Sequence, residues 1–218
     1  MHNTILDNEL EELKSEILRM GALIEKSVCQ AIVSLIEDDV DLAQQVIAGD
    51  DEIDGLTIDV QNKCLRLLAQ HRPQAIDLRG IQADMQTATD LEGMGDCAEK
   101  MAKSTLRLHG RRTIEDLSLL SQIGFNVKGL VTSATNSYSA SDVAKAKDSM
   151  HMEGEINGLN KKYFNILVDT IREDPNKADM AVQLLYATHC LERIAGHAAN
   201  IGEAVIYMVT GEWTSLND

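Results

Sequence analysis

The sequence predicts an all-α protein made of two tandem three-helix bundles related by internal duplication. Three observations predict it. Apolar residues recur at spacings of three and four over long stretches, the period of a helix with one buried face. Aromatics are only 3% of the chain and prolines number two, which leaves little material for sheets and few helix breakers. Short segments of the first half return in the same order in the second.

The first helix is expected from about Asp7, with Leu10, Leu13, Ile17, Met20, Ile24, Val28, Ala31 and Leu35 as its apolar stripe. Glu37-Asp38-Asp39 interrupts it. Ala43, Val46, Ile53, Thr57, Val60, Cys64 and Leu67 mark a second helix to about Gln70. His71-Arg72-Pro73 makes a turn, because the residue before proline is pushed out of helical geometry. Leu78, Ile81, Met85, Ala88, Gly95 and Ala102 mark a third helix ending near His109-Gly110, and Arg111-Arg112 reads as a solvated linker. A fourth helix is expected from Thr113 to about Thr135, followed by a polar break over Ser137 to Ser141. A long fifth helix runs to Glu173, where Asp174-Pro175 makes the second turn. A sixth ends at Thr210-Gly211, with glycine as the stop.

The halves align. Met20-Gly21 matches Ile123-Gly124, and Glu52-Ile53-Asp54-Gly55-Leu56 matches Glu155-Ile156-Asn157-Gly158-Leu159 at the same spacing. Leu91-Glu92 returns as Leu191-Glu192, Ala88 as Thr188, and the proline turns correspond within a residue or two. The repeats are assigned to residues 1–110 and 111–218.

The chain has 218 residues, 44% of them apolar, and a formal net charge of −15. That charge repels phosphate backbones and anionic lipid, so nucleic acid is not an expected partner. No run of about 18 apolar residues suits a membrane span. Met1-His2-Asn3-Thr4 leads into an acidic amphipathic segment without signal-peptide character, and a cytoplasmic protein is expected. Cys29, Cys64, Cys97 and Cys190 form no C-x-x-C pair and read as small buried hydrophobes in a reducing compartment.

The informative residues are acids on the apolar stripes. Position 50 of the second helix stripe is Asp50, with Asp54 one turn on. Position 92 of the third is Glu92, with Asp96 one turn on. Residues i and i+4 share a helix face, so each helix offers two adjacent carboxylates. Four such groups together call for a counter-charge, and an oxygen-only donor set suits divalent iron, manganese, magnesium or calcium. The plainer alternative is acids solvated at helix ends. In the second half Glu153 and Asn157 replace the first pair, and Glu192 and Gly196 the second. Two carboxylates are lost, so a hard cation binds there more weakly. His151, His189 and His197 lie nearby, and His189 shares a face with Glu192, which opens a softer site using those two side chains.

At these residues the chain resembles the PhoU family of phosphate-signalling regulators. The carrying segments are Asp50 to Asp54, Ala88 to Asp96, Leu191 to Ala195, Asp77-Leu78-Arg79, and the ending Val205 to Glu212. The resemblance covers nearly the whole chain. It implies two three-helix bundles and multinuclear metal binding at paired E/D-x-x-x-D motifs, which fall here on Asp50, Asp54, Glu92 and Asp96. The expected cofactor is a divalent or trivalent metal ion, with iron, manganese or zinc ahead of magnesium. The resemblance further implies a cytoplasmic homodimer that links the ATPase subunit of a phosphate ABC transporter to a sensor histidine kinase and restrains phosphate uptake and phosphate-starvation signalling. Besides Asn157 and Gly196, one departure from the family pattern is Gly93, where the residue after Leu-Glu is usually Arg, as Arg193 is in the second half.

The alternative is a di-metal carboxylate helical-bundle enzyme. Such enzymes carry Glu-x-x-His ligands. Here position 95 is Gly95 and position 195 is Ala195, and no nucleophile–base pair stands out. A regulator with no catalytic residues is therefore expected.

Overall fold

The computed structural model describes residues 4–111, 113–114 and 116–212, and no strand occurs among them. Six long helices follow one another: α1 Thr4–Glu37, α2 Val40–His71, α3 Ile76–Leu108, α4 Ser118–Ala140, α5 Val143–Glu173 and α6 Ala178–Thr210. A single 3-10 turn, Pro175–Lys177, precedes α6. Arg111 is exposed, while Arg112 and the segments 1–3 and 213–218 lie outside the described residues.

The α1 stripe from Leu13 to Leu35 is at most 2% exposed at each expected position, and all seven expected positions of α2 are buried. Local chemistry starts and stops these helices. Asp39 caps α2 by accepting the Leu42 N–H at 2.9 Å, and Asp142 caps α5 by accepting from Ala144 and Lys145. Asp38 and Ser141 make the sharp turns before these caps in the left-handed region, at φ 62 and 50. Gly211 ends α6 at φ 80, a conformation glycine adopts without strain. The side chains of Ser34 and Ser137 both bond back to the carbonyl three residues earlier. Cap, turn and serine thus recur as equivalent pairs in the two halves.

Three expectations are corrected. The fourth helix starts at Ser118 rather than Thr113, because Asp116 takes the Ser118 N–H at 2.9 Å and halts the chain there. It continues through the expected polar break to Ala140, since Ser137 satisfies its hydroxyl within the helix and is buried. Leu78 is 46% exposed, because it lies in the first turn of α3, before the helix enters the core.

Helices α1 to α3 pack on one another, as do α4 to α6, and the groups join through α1 with α4 and α3 with α6. Among the described residues α2 and α5 stay on the outside, each touching only its own group. One hydrophobic core runs through both groups. The repeated Gly21 and Gly124 explain the α1–α4 crossing. A Cβ on Gly21 would lie 2.6 Å from Cγ2 of Thr135, and one on Gly124 would lie 2.6 Å from Cγ2 of Ile32. Each helix offers a bare backbone where its neighbour presents a β-branched side chain.

Candidate functional site

The outer helix α2 lays its acids against α3. Asp50 reaches the α3 backbone: its Oδ1 lies 3.3 Å from where a Cβ on Gly95 would stand. Asp54 lies one turn further along α2, and Glu92 and Asp96 flank Gly95 on α3. The four predicted acids are therefore brought to one place. Burial first, and then the charges of Glu99, Asp54, Asp96 and Glu92, push the Asp50 carboxyl up to about 6. Burial, Asp96 and Asp54 raise Glu92 too, against His197 and Lys100, which lower it. Asp50 thus stands among like charges, with no cation among the groups that shift it.

Glu99 is a fifth member that the stripe analysis missed. It lies two turns beyond Glu92, on the same helix face, and that spacing was the available signal. Part of the missing positive charge comes from α3 itself: Lys100 pairs with Asp96, and Lys103 with Glu99 at 2.5 Å. Among the described residues no three His, Cys, Asp or Glu side chains are drawn together closely enough to hold a metal ion. The donor set nonetheless fits a hard cation, because five carboxylates from two packed helices offer only oxygen and their charges bear on the half-buried Asp50.

The second half is built otherwise. His189 Nδ1 lies 3.7 Å from Glu192 Oε2, so these two predicted residues do meet, both largely exposed. Glu153 instead accepts from Asn157 Nδ2 at 3.4 Å. Asn157, Asn160, Lys161, Thr188, His189 and Glu192 line an open cavity of about 520 Å³. A Cβ on Gly196 would meet nothing within 4 Å, so room for an acid exists there and only the acid is absent.

Sequence reasoning also passed over a polar link at the α3–α6 interface. Asp90, 2% exposed, accepts from Asn200 Nδ2 at 2.9 Å and lies 2.9 Å from His197 Nδ1. Gly93 makes room for that imidazole, since a Cβ there would fall 2.5 Å from His197 Cε1. The departure at position 93 thus has a local cause.

The PhoU domain model matches residues 17–105 and 120–205. A curated relative, the phosphate-specific transport system accessory protein PhoU homolog of Clostridium acetobutylicum, is 34% identical over 219 residues and covers 100% of both chains. The chain belongs to the PhoU domain family. The PhoU homolog of Pseudomonas aeruginosa is 35% identical over 208 residues, covering 93% of this chain and 84% of its own. The crystal structure of PhoU from Pseudomonas aeruginosa superposes with a TM-score of 0.92 at 34% identity, over 94% of this chain and 99% of that one. The phosphate transport system regulatory protein PhoU from Streptococcus pneumoniae superposes with a TM-score of 0.90 at 28% identity, over 97% of this chain and 100% of that one. The two matched PhoU segments correspond to the two groups of three helices, and the acids at 50, 54, 92, 96 and 99 all fall within the first.

Proposed function

We propose that this chain is a non-catalytic accessory regulator of phosphate uptake whose first-half carboxylates hold a multinuclear metal site. The carrying observation is the convergence of Asp50, Asp54, Glu92, Asp96 and Glu99 between α2 and α3, in a chain related over its full length to a phosphate-specific transport accessory protein. Bound iron, manganese, zinc or magnesium would supply the missing positive charge. Asp50 and Asp54 offer oxygens from α2 and Glu92, Asp96 and Glu99 from α3, so occupancy ties the outer helix to the central one. Lys100 pairs with Asp96 and Lys103 with Glu99, and a bound cation would compete with them for these carboxylates. The regulator acts in the cytoplasm as a homodimer, contacts the ATPase subunit of a phosphate ABC transporter and a sensor histidine kinase, and restrains uptake and starvation signalling. No helix among the described residues is long and apolar enough to cross a membrane.

The test is elemental mass spectrometry of the purified protein beside a Glu92→Ala/Asp96→Ala variant, followed by co-purification of each with the transporter ATPase and with the sensor kinase. The parent is expected to carry metal and retain the ATPase, and the variant to lose the metal. A parent that stays metal-free after reconstitution removes the metal site. A parent that retains neither ATPase nor kinase removes the adaptor role.

A further inference from the structure

Helices α3 and α6 run antiparallel along the seam between the two halves, and their register is fixed at several points. Gln82 Oε1 accepts from Tyr207 at 3.3 Å, Asp90 Oδ1 lies 2.9 Å from His197 Nδ1, and Gly93 abuts the His197 ring. Each step forward along α3 is therefore matched by a step back along α6. Two helical turns forward from Asp90 is Cys97, and two turns back from His197 is Cys190. The register that joins Asp90 to His197 thus sets the two cysteines opposite one another across the α3–α6 seam, near enough for each thiol to perturb the other. Cys97 is 0% exposed and Cys190 2% exposed, and both are free thiols. The other two cysteines lie elsewhere, Cys29 on α1 and Cys64 on α2.

Small residues stand near the pair along both helices: Ala98 and Ala195 belong to the same core, and Gly93 lies one turn before Cys97 against α6. A disulfide needs Cα atoms about 4.4–6.8 Å apart, a separation helices reach only where their contact residues are small.

We propose that Cys97 and Cys190 form a reversible disulfide that staples α3 to α6, and so the first half to the second, when the protein meets hydrogen peroxide. One sulfur attacks a peroxide oxygen, the O–O bond breaks, and the departing oxygen leaves as water. The second sulfur attacks the resulting sulfenic sulfur, the S–O bond breaks, and the hydroxyl leaves with the thiol proton as a second water as the S–S bond forms. The two cysteines together lose two electrons and two protons, and the peroxide is reduced to water. A dithiol restores the reduced form. Burial protects the pair from large oxidants and admits hydrogen peroxide during local opening. This inference does not depend on the metal site or on a phosphate role.

The test uses the purified full chain, reduced, freed of reductant, and treated with hydrogen peroxide in the presence of a chelator. The protein is then unfolded, alkylated with N-ethylmaleimide and mapped by peptide mass spectrometry. The expected result is one linked peptide pair containing Cys97 and Cys190, with Cys29 and Cys64 alkylated and the link lost on adding dithiothreitol. The melting temperature of the oxidised parent should rise, and that of a Cys190→Ala variant should not respond to peroxide. The proposal is overturned if all four thiols remain alkylatable, if the cross-link joins other cysteines or two chains, or if Cys97 ends as a sulfinic acid.

Discussion

At the scale of single residues, glycines with contrasting surroundings separate packing from propensity. Gly93→Ala places a methyl against the His197 ring and must move it off Asp90. It should cost about 1–3 kcal/mol in urea denaturation, the range for overpacking combined with a disturbed buried hydrogen bond. Gly196→Ala meets open space in the middle of α6 and should stabilise by up to about 1 kcal/mol through helix propensity. If both changes have the same sign, the account of position 93 is wrong. Asp50 gives a pH prediction. Its carboxyl stands near 6 in the fold against 3.8 in the unfolded chain, so the folded chain holds more protons between those values. Its contribution to metal-free stability therefore falls as pH rises through that window. Asp50→Asn should flatten this dependence and add about 1 kcal/mol at pH 7, a figure already discounted for solvent screening. Asp84, also near 6 through burial, contributes with the same sign and stays in the variant as an internal reference.

At the scale of elements, the helix starts rest on side chains readable in advance and the crossings do not. Asp39 and Asp142 each cap the outer helix of their half. Replacing either with Ala should cost about 1 kcal/mol, measurable as a lowered urea midpoint with an unchanged slope. The Gly21 and Gly124 crossing is a separate matter. Gly21→Ala drives a methyl to 2.6 Å from the stiff, branched Thr135, and a loss of about 1–3 kcal/mol is expected, relieved by the double change with Thr135→Ser. The stripe of α1 was legible from Leu13 to Leu35, whereas Leu10 is only partly buried and the buried Ile32 and Ser34, set against α4 and α3, lie off it. The burial of α3 was legible only in part. Its buried residues include Asp84, Thr87, Asp90, Gly93, Ser104 and Thr105, because α1 and α2 cover one side and α6 another. A helix wrapped by neighbours shows no clean stripe for periodicity to find.

For the molecule as a whole, the outer position of α2 matters most. Among the described residues it packs only on α1 and α3, and it carries Asp50 and Asp54 to the shared carboxylate site. Metal added to the chelated protein at pH 7 should raise the melting temperature and slow hydrogen exchange along α2 more than along α5, whose equivalent positions are Glu153 and Asn157. Equal protection of both outer helices would place the metal elsewhere. Below about pH 5 the same addition should have little effect, because protonated Asp50 no longer calls for a cation.

Local chemistry in the sequence alone determined much of this protein. Helical period, proline turns, the repeated segments and the four stripe acids at 50, 54, 92 and 96 could all be read along one strand of text, because each depends on residues within a few turns of one another. What only the tertiary structure decided are relations across distant helices. Glu99 joining Asp50, Gly93 yielding to His197, Gly21 meeting Thr135 and Cys97 facing Cys190 each depend on the register in which two helices pack. That register follows from the fit of whole surfaces, to which no single segment holds the key.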